Sequence, residues 1–343
     1  MPDIFLDFGN ADVKYYDGDS NYGYFRHAIV EISESQWREV CKRAKQPPMG
    51  YIAIEDRYFA YGDKARRYTL KDKPKGAARY TQDYYGVALM AAISELFDSS
   101  HRIMNVYASH APRDFEYADD IRNAVLGRWK FVTHKGDYNL NIKTVETFDE
   151  PLGGFNHAML TKNGKVLKSN PYRDSTVLVV DVGGYTVDVV AVDPGGQIDD
   201  SSLGSTITGV MDTYNWFERE LRSMYRDEFK AVEDITPERL EKAILTGFFQ
   251  FGKLKLNCDS IGKQAINILV NDILSVIRAN GSIANYDVIL LTGGGSALVY
   301  DALKIAENRI DFVLVESRRE DMRYANVFGG AKLFTMLRVL GVL

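Results

Sequence analysis

Residues 177–192 read VLVVDVGGYTVDVVAV. Two apolar runs flank a pair of glycines, and each run carries one aspartate, Asp181 and Asp188. The pattern predicts two buried β-strands joined by a tight turn. A buried carboxylate is costly without a partner, and glycines let backbone N–H groups approach a ligand closely. An aspartate beside such a turn is therefore typical of a site for phosphate and Mg²⁺, in which the amides bind phosphate and the carboxylate holds the metal.

The same pattern opens the chain. IFLDF, GNA, DVKYY and DG follow one another from residue 4 as VLVVDV, GGY, TVDVVAV and DPGG do from residue 177, and Asp7 takes the place of Asp181. The repeat at about half the chain length predicts an internal duplication with two related domains. Two facing turns, Asp7-Phe8-Gly9-Asn10 and Asp181-Val182-Gly183-Gly184, would bind a polyphosphate between the domains. Lys14 would add a positive charge near the β-phosphate.

A third glycine cluster, Thr292-Gly293-Gly294-Gly295, lies between an apolar strand and a predicted helix. Successive glycines allow a ring or ribose to pack on the backbone, and a helix N-terminus favours negative charge. The cluster is not a P-loop, since no G-K-[ST] follows, and G-x-G-x-x-G is absent. One Asp-x-Gly turn alone is common in hairpins, so the matched pair with the third cluster carries the prediction.

Composition narrows the class of protein. The 343 residues are 45% hydrophobic and 26% charged, with a net charge of −5 and two cysteines, Cys41 and Cys258. We expect a cytoplasmic protein of two domains without a disulfide framework, direct nucleic-acid binding or a signal peptide. The C-terminal AKLFTMLRVLGVL is either a buried last helix or an amphipathic membrane-surface helix. No apolar run reaches the roughly 20 residues of a membrane span.

Strand and helix patterns alternate, which indicates an α/β protein. Long helices are predicted in the second half over 208–229, 236–254 and 263–281. The five histidines lack metal-ligand spacing. The basic run KDKPKGAAR, 71–79, is interpreted as a solvated loop, with a DNA or filament contact as the alternative.

The three motifs, together with ANVFGGA at 325–331, resemble the actin/Hsp70/sugar-kinase superfamily. IFLDFGNADVK is similar to its phosphate 1 motif, VLVVDVGGYTVDVV to phosphate 2, VILLTGGGSAL to the adenosine motif, and ANVFGGA to the second connecting helix. The resemblance implies an α/β fold of two related actin-like (ribonuclease H-like) domains with the nucleotide cleft between them. Domain I would span 1–176, with a small insertion at about 17–80 and a returning C-terminal helix 320–343, and domain II would span 177–319.

Three further stretches resemble the bacterial plasmid-segregation actins of the ParM/StbA type. They are YFAYGDKA at 58–65, VYASHAP at 106–112 and DDSSLGSTITGVMD at 199–212. This resemblance implies an ATPase that polymerises into dynamic filaments for plasmid or DNA segregation, with itself and a DNA-binding adaptor protein as partners. The implied cofactors are ATP or ADP, with GTP possible, and Mg²⁺.

The resemblance also implies roles for individual residues. Glu150, just before phosphate 2, matches the family's water-activating residue, although a turn residue or a helix N-terminal acid is the alternative. Asp181 would hold Mg²⁺ through water, with Asp7 helping, and both are candidate catalytic and metal-binding residues. The candidate cofactor-binding residues are Gly9, Asn10, Lys14, Gly183, Gly184, Tyr185, Thr186, Gly204, Gly293, Gly294 and Gly295.

Two other functions use the same core. A small-molecule kinase or a non-filamentous ATP-dependent switch is the alternative, but a kinase needs a base and a pocket for its substrate hydroxyl, and only Glu150 is a candidate. An Hsp70-type chaperone would need a peptide-binding domain, which we do not expect.

Overall fold

The computed structural model describes residues 1–42, 46–68, 79–230, 232 and 235–343. The chain divides into two units. The first comprises Met1–Lys168 and Tyr324–Leu343, and the second comprises Ser169–Arg323. The predicted insertion at 17–80 and basic run at 71–79 fall partly outside the described residues.

The first unit contains these strands and helices: β1 Asp3–Phe8, β2 Asp12–Tyr16, β3 Tyr22–Arg26, β4 Ile29–Ile32, α1 Glu34–Cys41, β5 Tyr51–Ile54, β6 Arg57–Tyr61, α2 Val87–Leu96, β7 Ile103–His110, α3 Ala118–Val125, β8 Gly127–Thr133, β9 Gly136–Asp149, α4 Glu150–Met159 and α10 Ala325–Val339. The second unit contains β10 Val177–Val182, β11 Val187–Val192, β12 Ile198–Thr206, α5 Val210–Met224, α6 Pro237–Thr246, β13 Phe248–Phe251, β14 Leu254–Asn257, α7 Asp259–Ala279, β15 Val288–Thr292, α8 Ser296–Ala306, β16 Asp311–Leu314 and α9 Arg319–Met322.

The two units repeat one strand order. Among the described residues the first sheet runs β3-β2-β1-β7-β9-β8-β5-β6-β4 and the second runs β12-β11-β10-β15-β16. In each, the first three strands in sequence pair antiparallel, and the first of them also pairs parallel with the next core strand, β1 with β7 and β10 with β15. The predicted relation between the two halves is therefore confirmed.

The central strands are apolar because both of their faces are covered. All six residues of β10 are buried, as are the last five of β1. In the first unit, α2 (VALMAAISEL) is buried over its first eight residues, and α10 packs on a cluster that includes Phe5 and Tyr107. The two glycine turns therefore follow strands that lie in the middle of their sheets.

Strands β8, β5, β6 and β4 extend the first sheet beyond the repeated five. The predicted insertion at about 17–80 begins too early, because β3 pairs with β2 from Asp12↔Arg26 to Tyr16↔Tyr22 as part of the repeated order. The added strands β4 to β6 begin only at Ile29.

The predicted helix over 236–254 is wrong in its second half. Helix α6 ends at Thr246, and Gly247 has a φ of +70° in the left-handed conformation that commonly ends helices. The following FFQF and LKLN form the hairpin β13–β14. The aromatic run has strand propensity, which the helical spacing of its apolar residues concealed.

Helix α10 confirms the predicted last helix, which buries one face while Leu340, Val342 and Leu343 beyond it are exposed. It packs on α4 with the two backbones in direct contact. A Cβ built on Gly329 would lie 1.6 Å from the carbonyl oxygen of Gly153, and one on Gly153 would lie 2.6 Å from that of Asn326. In the described part of the chain, no helix combines the length and hydropathy that crossing a membrane requires.

We therefore expect Gly329→Ala to lower the free energy of unfolding by about 3 kcal/mol, the upper end for overpacking, because neither backbone can move aside. Denaturant titration measures the change. The control is Gly262→Ala in α7, where the new Cβ would meet Ile244 at 3.4 Å, an ordinary contact. There the higher helix propensity of alanine offsets any cost to within about 1 kcal/mol. Equal effects at the two positions would contradict the close helix contact.

Candidate functional site

The first glycine turn joins β1 to β2. Asp7 lies opposite Lys14 in the strand register, and its carboxylate, 1% exposed, accepts a hydrogen bond from Lys14 Nζ at 3.0 Å. A Cβ on Gly9 would meet that Nζ at 2.9 Å and the Asp12 carbonyl at 3.0 Å, so a larger residue there would have to displace the Lys14 side chain. The predicted point charge of Lys14 is thus held beside the turn by an ion pair with Asp7.

The second oxygen of Asp7 is not used by the ion pair with Lys14. Asp7 Oδ1 is buried and has no hydrogen-bond partner among the described residues. A buried oxygen without a partner costs free energy unless water, an ion or a ligand satisfies it. The turn therefore contains an unsatisfied anionic oxygen next to glycine backbone.

An aromatic cluster supports this turn from behind. The ring of Phe8 lies 4.2 Å from that of His27 and 4.5 Å from that of Tyr85. His27 Nδ1 is 2.7 Å from the Gly9 carbonyl oxygen, and because a carbonyl only accepts, Nδ1 donates in this contact. Tyr85 lies in a π-helical segment, Gln82–Gly86, a local form that is frequent at functional sites. The turn is therefore fixed by packing as well as by hydrogen bonds.

Glu150 lies at the same edge of the first sheet. Strands β1, β7 and β9 are parallel, so their carboxyl ends meet at one edge, and Glu150 begins α4 directly after β9. Its Oε1 accepts a hydrogen bond from Ser109 Oγ at 3.4 Å. Burial raises the pKa of the Tyr85 hydroxyl, the charge of Arg79 acts to lower it, and the charges of Asp7 and Glu150 raise it, so both carboxylates act on one buried group.

The second glycine turn joins β10 to β11 in the second unit. Gly183 N–H donates to the Thr186 carbonyl at 2.9 Å, which closes the turn, and Tyr185 is exposed at its tip. Asp181, 6% exposed, lies opposite Asp188 in the register, the place that Asp7 has opposite Lys14. The two aspartates therefore occupy equivalent positions, as the repeat predicts.

Helix α5 begins against this turn. The N–H groups of Val210 and Met211 donate to the carbonyls of Gly183 and Gly184 at 3.2 and 2.7 Å. A Cβ on Gly209 would lie 2.7 Å from Gly184 and Tyr185 backbone atoms. Gly209 is not predicted from the sequence, because nothing local distinguishes it from other glycines before a helix.

Gly204, the predicted cofactor-binding glycine of this stretch, lies elsewhere. It is inside β12, paired with Val189, and a Cβ there would lie 2.2 Å from the Asn280 side chain. The packing against Asn280 accounts for a glycine at this position, so we place Gly209 beside the turn in its stead.

The third glycine cluster packs on the second turn. Gly293 has a φ of +84°, and a Cβ on it would lie 2.1 Å from Asp181 Oδ1. Gly295 N–H donates to the Val182 carbonyl at 2.9 Å, and a Cβ on Gly295 would meet Val210 at 2.3 Å. Gly294 alone of the three is exposed. Gly293 is thus required by packing against Asp181 and Gly295 by packing against Val182 and Val210, whereas Gly294 is the exposed glycine of the cluster.

The side chains present fit a Mg²⁺ ion that keeps part of its hydration shell and is also bound by phosphate oxygens. Among the described residues, no three His, Cys, Asp or Glu side chains form a cluster that would hold a metal by themselves. Mg²⁺ in proteins is usually bound through one or two carboxylates plus substrate phosphates. Asp7, with its unsatisfied oxygen, has the chemistry of such a ligand in the first unit, and Asp181 is a buried carboxylate of the second unit.

Comparisons with known proteins give two matching family models, one for each half of the chain. Residues 6–153 match the family model described as actin like proteins N terminal domain, and residues 179–305 match the one described as archaeal actin homologue MreB-like, C-terminal. No curated protein matches the sequence.

Solved structures share the fold along nearly the whole chain. The archaeal actin homolog Ta0583 in complex with ADP has a TM-score of 0.73 at 17% identity, covering 96% of this chain and 98% of its own. Bacillus thuringiensis ParM with ATP has a TM-score of 0.72 at 14% identity and covers 99% of each chain. A non-polymerisable quadruple mutant of pCBH ParM has a TM-score of 0.70 at 16% identity, covering 97% of this chain and 98% of its own.

The repeated strand order, with a glycine turn after the first strand of each unit, defines a two-domain protein of the actin fold. The chain belongs to the actin-like proteins, and it resembles the archaeal actin homologues and the ParM plasmid-segregation actins. The resemblance stated from the sequence motifs is confirmed at this level, while the role of each site residue stays a prediction.

Two substitutions separate packing from ligand access in the third cluster. Gly293→Ala should displace the Asp181 carboxylate, since Cβ and Oδ1 would overlap and φ is positive. We expect a loss of about 1–3 kcal/mol of stability, and nucleotide affinity at least 10-fold weaker. Gly294→Ala, whose Cβ would meet Arg323 only at 3.4 Å, should keep wild-type stability. Denaturant titration and nucleotide titration measure both effects, and an unaffected Gly293→Ala would refute the packing argument.

Proposed function

We propose that the chain is an ATPase that binds ATP and Mg²⁺ through the first and second glycine turns and polymerises into filaments that segregate plasmid or other DNA. One observation carries this proposal. In two units of the same strand order, a buried aspartate precedes the glycine turn of the central hairpin, and one of these carboxylates has an oxygen without a partner.

Each residue type at the turns suits polyphosphate chemistry. Backbone amides of the two turns other than that of Gly183, which donates to the Thr186 carbonyl, would bind phosphate oxygens, and Lys14 would place its charge beside the first turn. Asp181 and Asp7 would hold Mg²⁺, chiefly through water, and the ion when bound would neutralise phosphate charge. Relatives described with ADP and with ATP support adenine nucleotides as the ligand, and GTP is the alternative.

Glu150 is proposed to activate the attacking water. It begins α4, where the helix dipole favours the ionised carboxylate that a general base requires. Ser109 holds one of its oxygens at 3.4 Å, which orients the group toward the edge that also carries the first turn. Hydrolysis would then limit the lifetime of the filament, because ATP favours the contacts between subunits and loss of the γ-phosphate weakens them.

Filament formation rests on the likeness to ParM, including the relative whose variant is described as non-polymerisable. A ParM-type role further implies a DNA-binding adaptor, because the net charge of −5 supplies no overall attraction to DNA. We therefore expect self-association to be ATP-dependent and DNA attachment to be indirect.

The proposal predicts that adding ATP and Mg²⁺ raises the right-angle light scattering of the purified protein, and that scattering falls again as phosphate is released. EDTA should abolish both signals, because the phosphate charge is then not neutralised. ADP with Mg²⁺ is the matched control and should give no lasting rise. Phosphate release with flat scattering would replace the filament with a monomeric switch or kinase. No nucleotide-dependent signal and no nucleotide binding would overturn the ATPase itself.

Glu150→Gln should reduce ATP turnover by about 100-fold or more, the range for removing a general base, while nucleotide affinity stays within a few-fold. The amide keeps the shape and the Ser109 contact but cannot take a proton. Filaments of this variant should therefore persist longer. Glu146→Gln, on β9 near Arg122, is the control and should hydrolyse normally. Turnover at the wild-type rate in Glu150→Gln would remove Glu150 from catalysis.

A further inference from the structure

A buried guanidinium lies behind the first glycine turn. Arg79, the last residue of the basic run, is 8% exposed and so is not the solvated loop residue that the sequence predicts. Its Nη2 donates to the Tyr80 hydroxyl and to Asp114 Oδ2, and the Tyr80 hydroxyl donates to the same Asp114 oxygen at 2.6 Å. These contacts tie residues 79 and 80 to the 3₁₀ segment Pro112–Tyr117 that follows β7.

The other arm of the guanidinium reaches the turn. Arg79 Nη1 donates to Asn10 Oδ1 at 2.8 Å across 69 residues of sequence. Arginine presents several donors in a rigid planar fork, so it can hold Asp114 and Asn10 at once. A lysine would supply the charge without this geometry.

Arg79 is not needed merely to fill the interior. A buried ion pair can often be replaced by apolar side chains at little cost in stability, and a buried charge with a single carboxylate partner is a weak stabiliser. Burial acts to lower the pKa of Arg79, but Tyr80, Asp114 and Glu150 outweigh it and raise that pKa, so the group remains charged. An apolar residue in place of Arg79 would remove the donor to Asn10 as well as the donor to Asp114.

The hydrogen bond from Arg79 fixes the orientation of the side-chain amide of Asn10 at the turn. An asparagine side chain has one acceptor and two donors, and its orientation follows from its hydrogen bonds. With Oδ1 accepting from Arg79, the Nδ2 group is directed away from the guanidinium. An NH₂ group attracts a phosphate oxygen, whereas a carbonyl oxygen in its place would repel one.

We infer that Arg79 is a positioning residue for polyphosphate binding, which fixes the side-chain amide of Asn10 so that Nδ2 donates to the phosphate held at the first turn. The inference rests on the proposed function, since it assumes a nucleotide at that turn. It adds a residue that lies outside the glycine motifs and acts through Asn10. Asp114 and Tyr80 hold the guanidinium in place.

The decisive variant is Asn10→Asp. Its carboxylate still accepts from Arg79, so the thermal midpoint of the nucleotide-free protein should equal or exceed that of the wild type. Its second oxygen would then face the phosphate, and ATP affinity should fall at least 10-fold. Wild-type ATP affinity in Asn10→Asp would overturn the inference.

A double-mutant cycle tests the link to Arg79. Arg79→Met and Asn10→Ala should weaken ATP binding by similar factors, and the double variant should be no weaker than Arg79→Met alone. The thermal midpoints of the same four nucleotide-free proteins should show the same non-additivity. Arg79→Lys should restore stability better than it restores ATP affinity. Independent losses in both readouts would overturn the coupling.

Arg222→Met is the control for a loss of stability alone. Arg222 also pairs with a carboxylate, Glu218 at 2.7 Å, and stacks on Phe229, but it lies near the end of α5. The Arg222→Met variant should have a lower thermal midpoint than the wild type and an unchanged ATP affinity. If the wild type binds no nucleotide, the proposed function fails together with the inference. If it binds nucleotide and Asn10→Asp binds equally well, only the inference fails.

Discussion

A carboxylate inside a β-sheet is the constraint on which the rest of the site depends. Asp7 and Asp181 are each the last residue but one of a buried central strand, and the free energy of placing charge there must be offset by neighbouring groups. Only certain residue types can therefore lie beside these two carboxylates. Gly293 has no side chain because Asp181 occupies the space that a Cβ would take. The same restriction explains why the β15–α8 connection, remote in sequence, is glycine-rich.

The two units hold the turns beside these carboxylates by different means. In the first, Lys14 neutralises one oxygen of Asp7, while Phe8, His27 and Tyr85 immobilise the turn from behind. In the second, backbone hydrogen bonds hold the turn that follows Asp181. The first amides of α5 and the amide of Gly295 donate to carbonyls of Val182, Gly183 and Gly184. A shared strand order therefore does not imply shared side chains, since the residue opposite the aspartate is Lys14 in the first unit and Asp188 in the second.

The sequence predicts the features that depend on local interactions, and it misses those that depend on residues far apart in the chain. The strands, the two hairpin turns and the last helix are predicted because apolar runs and glycine pairs are local signals. The hairpin β13–β14 was missed because its aromatic residues also fit a helical period, and a single left-handed glycine decided the outcome. Arg79 and Gly209 were missed for another reason. Their partners, Asn10 and Gly184, lie 69 and 25 residues away, so no window of sequence shows the contact.

The position of Glu150 depends on a contact made at the other end of the chain. Helix α4 can only point its first residue at the edge of the sheet if the helix itself is fixed, and α10 fixes it through backbone contact at Gly153 and Gly329. Where larger side chains separate two helices, a change of rotamer allows one helix to shift or tilt slightly relative to the other. Backbone against backbone leaves no such freedom, because carbonyl and Cα atoms have no rotamers. The C-terminal segment is thus part of what orients the proposed base, although none of its residues is proposed to touch the nucleotide.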